Sequence, residues 1–249
     1  MSIDGEQDLV KLKEIGRIVG KTLKTMLQTV EPGMTTAELD AVGRKLLEDA
    51  GARSAPESSY NFPGATCISV NHHMAHGIPS DKVIIKAGDL INIDVSAEKD
   101  GYYADTGASM AVPPVNPLFQ KLCLSTRRAL KSGMRAARAG RPLNHIGRAV
   151  SMEAKKAGFG IVRNLGSHGV GRSLHEEPKF IPSYYDPKDT RQLSEGMVIT
   201  IEPFLTTGPP NAFQEKDGWT LSTLRGCYAA QFEHTIVITK NQPIVVTQV

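Results

Sequence analysis

Asp94, Asp105, His168, Glu202 and Glu233 are four carboxylates and one imidazole set within or beside short, mostly apolar runs. Asp94 closes Leu90-Ile91-Asn92-Ile93-Asp94, Glu202 closes Val198-Ile199-Thr200-Ile201-Glu202, and Glu233 precedes His234-Thr235-Ile236-Val237-Ile238. Ionised side chains buried in such segments are costly unless a counter-charge compensates them. An anionic, oxygen-rich set with a single nitrogen meets the needs of two hard or borderline divalent cations. These residue types imply two-metal hydrolysis.

The elements that must position them follow from periodicity. Leu90, Asn92 and Asp94 share one strand face and Ile91, Ile93 and Val95 the other, so the face with Asn92 and Asp94 is the polar one. Thr200 and Glu202 repeat that arrangement. Lys99-Asp100-Gly101 reads as a hairpin turn. Centred near residues 99 and 100, it would set Asp94 directly opposite Asp105, with Cβ atoms about 5 Å apart. Two bare carboxylates there repel, and a cation removes the conflict.

Leu12, Ile15, Val19, Leu23, Met26 and Val30 recur at helical spacing, predicting a helix from about 8 to 30 that Pro32-Gly33 stops. Thr35-x-x-Glu38 reads as a capping box for a second helix ending at Ala50-Gly51. Cys67-Ile68-Ser69-Val70 and Leu90 to Val95 read as strands. The order then returns. A helix carrying Leu122, Leu130, Met134 and Ala137 ends near Gly140, and another starts at Asn144, as N-cap, and ends at Ala157-Gly158. Gly33 to Gly140 and Gly51 to Gly158 are 107 residues apart, and Asp94 to Glu202 is 108. A nearly constant offset predicts one domain, 1–249, built from two pseudo-equivalent helix-helix-strand halves, roughly 8–112 and 117–240. Such symmetry places matching carboxylates across one site.

His168-Gly169-Val170-Gly171-Arg172-Ser173-Leu174-His175 is a glycine-rich turn between two histidines, without the lysine of a phosphate-binding loop. His168 and His175 are read as functional, as is His76 in His76-Gly77-Ile78-Pro79. His72 and His73 are assigned to a solvated loop, and His145 and His234 to structure.

Composition bounds the rest. The 249 residues are 40% hydrophobic and 22% charged with a net charge of +3, an ordinary globular balance too mild to imply nucleic acid. Cys67, Cys123 and Cys227 form neither a CxxC pair nor a disulfide framework, which points to a reducing, cytoplasmic setting. The first residues carry no signal-peptide pattern, and no apolar run nears the roughly 18 residues of a membrane span.

The segments His76-Gly77-Ile78-Pro79, Asn92-Ile93-Asp94-Val95, Tyr103-Ala104-Asp105-Thr106-Gly107, His168-Gly169-Val170-Gly171, His175-Glu176-Glu177-Pro178, Ile201-Glu202-Pro203 and Gln231-Phe232-Glu233-His234-Thr235 closely resemble type I methionine aminopeptidases. The resemblance runs in order over nearly the whole chain and is nearest the minimal bacterial form. It implies the α+β pita-bread fold, two pseudo-symmetric halves around a central antiparallel sheet. It implies, too, two divalent ions (Co, Mn, Fe or Zn), with Asp94 on one, His168 and Glu202 on the other, and Asp105 and Glu233 bridging. A water activated between them would attack the first peptide bond of nascent chains beginning with Met and a small residue. Glu202 would shuttle the proton, His175 would contact the scissile carbonyl, and His76 the scissile nitrogen. Phe62, Cys67, His76, Leu174 and Trp219 would line the methionine pocket, Cys67 as a wall and not a nucleophile. Leu174 and Ser59 depart from the pattern, standing at or near positions that are aromatic in many bacterial relatives, which predicts a looser pocket.

Arg127, Lys131, Arg135 and Arg138 form a basic stripe at helical spacing, read as a solvated face with contact to ribosomal RNA as the alternative. An Xaa-Pro peptidase of the same fold is the nearest rival, and a peptide- or RNA-binding relative without metal ligands the rival from another class. Monomer is the expectation. Met1-Ser2 makes the chain's own start a substrate of such an enzyme.

Overall fold

The computed structural model describes residues 2–249; Met1, on which the expectation of self-processing rests, lies outside them. The helices are α1 (Glu6–Thr29), α2 (Thr36–Asp49), α3 (Ala55–Tyr60), α4 (Pro117–Ala136) and α5 (Asn144–Ala157). The capping box of α2 is present: the Thr35 hydroxyl accepts from the Glu38 amide, and the Glu38 carboxylate accepts from the Thr35 amide at 2.8 Å. Among the described residues, no helix is long and apolar enough to cross a membrane.

The Leu90–Lys99 strand anchors the first sheet. It pairs along one edge with Cys67–Val70 and Arg53–Ser54 and along the other with Tyr102–Ala111. A second, five-stranded sheet runs in the order Ile244–Val245, His234–Val237, Val198–Ile201, Gly166–Gly169, Glu176–Pro182. Tyr102–Ala111 links the two sheets. Ala108 bridges to Phe232, the Glu233 amide donates to the Gly107 carbonyl at 2.8 Å, and the Thr106 hydroxyl donates to the Glu233 carbonyl at 2.8 Å. The strand bearing Asp105 therefore runs beside the segment bearing Glu233.

Packing secures this frame. Leu12, Ile15, Val19 and Met26 of α1 have no exposed surface and pack with Ile91, Ile93 and Val95. Burial of each contributes about 1.5–3 kcal/mol. On the other side, Leu130 of α4 and Ile146 of α5 pack with Ile199, Ile201 and Ile236. The outer faces of both sheets are thus held by helices, which leaves the inner, polar faces to form the cavity. Helix α2 and helix α5 have equal length with starts 108 residues apart (144 − 36), and Gly88 and Gly196, also 108 apart, share a left-handed backbone with φ of 85° and 81°. These correspondences support the reading of two repeated halves.

Three expectations need correction. The hairpin register pairs Asp94 with Gly107 and Ser96 with Asp105, so Asp94 and Asp105 are diagonal and not directly opposite. The turn sits one residue later than expected, at Asp100-Gly101, where φ values of 52° and 79° supply the two left-handed positions of the favoured two-residue hairpin turn. The partner numbers change by two, so both acids stay on one face. Asn144 does not cap α5; Leu143 precedes the helix, and the Asn144 amide donates instead to the carbonyls of Asp186 and Asp189, each at 2.9 Å. The basic stripe is shorter than four residues, because α4 ends at Ala136. Arg138 lies beyond it, half-buried, whereas Arg127, Lys131 and Arg135 are exposed. Arg127 also stacks over the Phe232 ring at 4.8 Å.

Candidate active site

The five predicted ligands converge between the two sheets. Asp105, His168 and Glu233 each offer a donor atom within 4.8 Å of the others, and all three are buried. The His168 Nε2 lies 3.8 Å from Asp105 Oδ2 and 3.4 Å from Glu202 Oε1. At the other end, the Gln231 amide donates to Glu233 at 2.9 Å and to Asp94 at 3.3 Å. Asp94 and Glu202 thus flank a middle formed by Asp105, Glu233 and His168.

Each of these side chains is oriented by neighbours. The His168 Nδ1 faces the Gly169 carbonyl at 2.9 Å, and a carbonyl only accepts, so Nδ1 carries the proton and Nε2 presents its lone pair. The Thr200 hydroxyl donates to Glu202 at 3.0 Å and accepts from the His168 amide at 3.1 Å. Thr235 brackets Asp105 through both backbone atoms, at 2.9 and 2.8 Å. Gln231 is held from behind by the Asn92 amide at 2.8 Å. Gly107 gives it room, since a Cβ there would stand 2.4 Å from the Gln231 side-chain Oε1.

The electrostatics match a cation site. Burial pushes the carboxyls of Asp105, Glu202 and Glu233 well above the ordinary carboxylate range, and their neighbours' negative charges add to it. Burial likewise lifts Asp94 to about 6. His168 is pulled down to about 3 by burial and by His175, and is therefore neutral at any working pH. Asp105 Oδ1 and Glu233 Oε1 are buried without any hydrogen-bond partner. Such orphaned carboxylate oxygens are rare without compensation, and two of them among four carboxylates and one imidazole fit a divalent metal site.

A cavity of about 390 Å³ opens onto the cluster, lined by Asp94, Asp105, His168 and Glu202, while Glu233 lies behind them. Every residue predicted for the substrate pocket also lines it: Phe62, Cys67, His76, Leu174, His175 and Trp219. Trp219 meets Phe62 edge-on at 5.3 Å. The Cys67 thiol is buried and pushed well above its usual value by that burial, so it stays protonated as a wall. His76 sits at φ 51°, a strained backbone for a non-glycine residue.

Ser59 does not line the cavity; its neighbour Tyr60 does. The Tyr60 hydroxyl meets His175 Nδ1 at 2.7 Å, a contact that no local sequence pattern signals. Tyr60 ends α3, a six-residue helix too short for any periodic signal; the Ser54 hydroxyl caps its start by accepting from Glu57, and Asn61 ends it in the left-handed conformation. Gln231 was detectable, since it stands two residues before Glu233, the spacing at which side chains of an extended segment share a side. His234 turns away, its Nδ1 meeting the Thr247 hydroxyl at 2.8 Å, in keeping with a structural role.

Residues 10–240 match the model of metallopeptidase family M24. Over the full length of both chains, the sequence is 48% identical to "Methionine aminopeptidase 2" of Bacillus subtilis (strain 168). It is 36% identical to the methionine aminopeptidase of Escherichia coli (strain K12), covering 97% of this chain and 91% of that one. The solved methionine aminopeptidase of Thermotoga maritima superposes with a TM-score of 0.95 at 30% identity, covering 100% of both chains. A prolidase from Pyrococcus furiosus superposes less closely, with a TM-score of 0.79 at 25% identity over 99% of this chain and 65% of that one. The chain belongs to metallopeptidase family M24, and within it to the methionine aminopeptidases.

Proposed function

We propose that the chain removes the amino-terminal methionine from nascent polypeptides whose second residue is small, in the cytoplasm, using two divalent cations. The observation that carries this reading is the pair of orphaned buried oxygens, Asp105 Oδ1 and Glu233 Oε1, at the middle of a five-ligand cluster that floors an apolar-walled cavity. Asp94 would hold one cation, His168 and Glu202 the other, and Asp105 and Glu233 both. When bound, such ions supply Lewis acidity that brings a water's pKa down toward neutrality, and Mn, Fe, Co and Zn all suit this donor set.

The chain's own groups supply the rest. Glu202, on the cavity wall with a raised pKa, accepts the proton of the attacking water and delivers it to the leaving nitrogen. His175 is neutral, drawn down to about 4 by burial and by His76. With the Tyr60 hydroxyl donating to its Nδ1, the proton of His175 resides on Nε2, which then donates to the scissile carbonyl as charge develops there. His76 contacts the scissile nitrogen. Phe62, Cys67, Leu174 and Trp219 enclose an unbranched thioether, to which apolar and sulfur-bearing walls are suited.

Tyr60→Phe removes one neutral hydrogen bond, about 0.5–1.5 kcal/mol, and should lower kcat/KM for a Met-Ala-Ser peptide roughly 2- to 10-fold. Unaltered kinetics would show that Tyr60 does not set the His175 tautomer. The wider reading is tested by a Met-Xaa-Ser series. Release should favour glycine, alanine and serine at the second position over leucine and phenylalanine by about tenfold or more, since each misfitted methylene costs about 1–3 kcal/mol. Equal release across the series would remove the small-residue preference.

A further inference from the structure

His72, His73 and Glu215 form a second group of potential metal ligands, outside the cavity. Their donor atoms lie within 4.8 Å of one another, and all three side chains are half-buried. None of them lines the cavity just described. Consecutive residues of an ordinary strand point to opposite faces, yet the His72 and His73 rings lie 4.4 Å apart. Asn71, at φ 59°, turns the chain immediately before them, and His72 lies ahead of the His73–Ala75 strand, which is what lets both rings gather on one side.

Glu215 comes from a different element. It follows the Phe213–Gln214 strand of a hairpin whose return strand, Leu221–Ser222, pairs with His73–Ala75. The Glu215 carboxylate is aimed by the Ser222 hydroxyl, which donates to Oε1 at 2.6 Å, and by its own amide, which donates to the Thr220 carbonyl at 2.8 Å. The Thr223 amide donates to the His72 carbonyl at 2.8 Å, fixing the backbone of the first histidine against the same hairpin. Two imidazoles and a carboxylate, each set on paired backbone and one already oriented by a hydroxyl, are the donor set of a three-ligand zinc site with an open fourth position. Zinc about 2.1 Å from each donor needs them about 3.4 Å apart, a contraction that side-chain rotation provides. Asp217 adds negative charge near His73, and Arg225 opposes it.

We propose that His72, His73 and Glu215 bind a borderline divalent cation, zinc(II), at a site separate from the catalytic cluster. The consequence is mechanical. The hairpin between Glu215 and Ser222 carries Trp219, and the strand that begins at His73 leads directly to His76, so the ion clamps together two walls of the methionine pocket.

The test uses metal-stripped wild type, His73→Gln and Glu215→Gln, each dialysed against micromolar zinc chloride, with zinc per chain counted by plasma mass spectrometry. Wild type should retain one equivalent more than either variant, counted above any zinc that the catalytic cluster holds alike in all three. Glutamine at 215 keeps an oxygen for the Ser222 hydroxyl, so that variant keeps its fold. In a second readout, zinc should slow amide exchange across 213–222 in wild type by about tenfold and leave Glu215→Gln unprotected. Equal zinc counts in the three proteins, or protection that persists in Glu215→Gln, would overturn the proposal.

Discussion

Replacing Glu202 by Gln should lower kcat for methionine release by about 10²- to 10⁴-fold, the range a positioned general base contributes, while KM moves by less than about threefold. The amide keeps an oxygen for the Thr200 hydroxyl, which donates to Glu202 at 3.0 Å, and nearly the same volume. What it loses is the ability to take up the proton of the attacking water and pass it on. The loss therefore falls on the chemical step and not on substrate binding. Metal content must be measured alongside, because Glu202 also stands 3.4 Å from His168 Nε2 in the ligand cluster. A variant that retains its metal and has kcat within tenfold of wild type would remove Glu202 from proton transfer.

The second large effect is on stability. Saturating Mn(II) or Co(II) should raise Tm at pH 7.5 by roughly 8–16 °C, taking about 4 kcal/mol for ligand at a thousandfold its Kd and about 2–4 °C per kcal/mol at this chain length. At pH 5 the gain should be less than about half of that. Asp94 titrates at about 6 in the metal-free protein, and Asp105, Glu202 and Glu233 are raised further above the ordinary range. A carboxyl whose folded pKa is raised stabilises the fold below its unfolded pKa, and that contribution disappears as pH rises through the folded value. Cations must displace those protons, so binding strengthens with pH. His168, already neutral because burial draws it to about 3, adds no opposing proton release above pH 5.

Asp105→Asn gives the same argument a sign. Without metal at pH 7.5 it should be more stable than wild type by about 1–3 kcal/mol, because it removes one of the mutually repelling buried acids. With metal it should be less stable, having lost a ligand. Scanning calorimetry of both proteins, stripped and loaded, reads the crossing directly. A variant less stable in both states would show that the acids are not in conflict without cations.

Much of this was legible in the sequence. The α1 stripe from Leu12 to Met26, the Thr35–Glu38 capping box and the polar face of Asn92 and Asp94 follow from local rules that tertiary structure did not override. The five clustered residues stood out because charge inside strand-like segments demands compensation. Other features depended on geometry that no local pattern encodes. The hairpin register hinged on whether residues 99 and 100 or 100 and 101 take the left-handed positions. Asn144 has the right chemistry for a cap, but two carbonyls from the 186–189 loop claimed its amide. Tyr60 reaches the site only because the six-residue helix α3 ends where it does, and His72 and His73 gather only because of the turn at Asn71. An imidazole in a polar loop gives no sign of the glutamate that folding brings beside it.

The most direct test strips the protein of metal, restores Mn(II), Co(II) or Fe(II) separately, and offers Met-Ala-Ser, Leu-Ala-Ser and Ala-Pro-Ser while the freed amino acid is followed by mass spectrometry. Metal-dependent release of methionine is the predicted result, with leucine released more slowly and by an amount that measures how far Leu174 loosens the pocket. Release from the proline peptide alone, or no release with any metal, would contradict it.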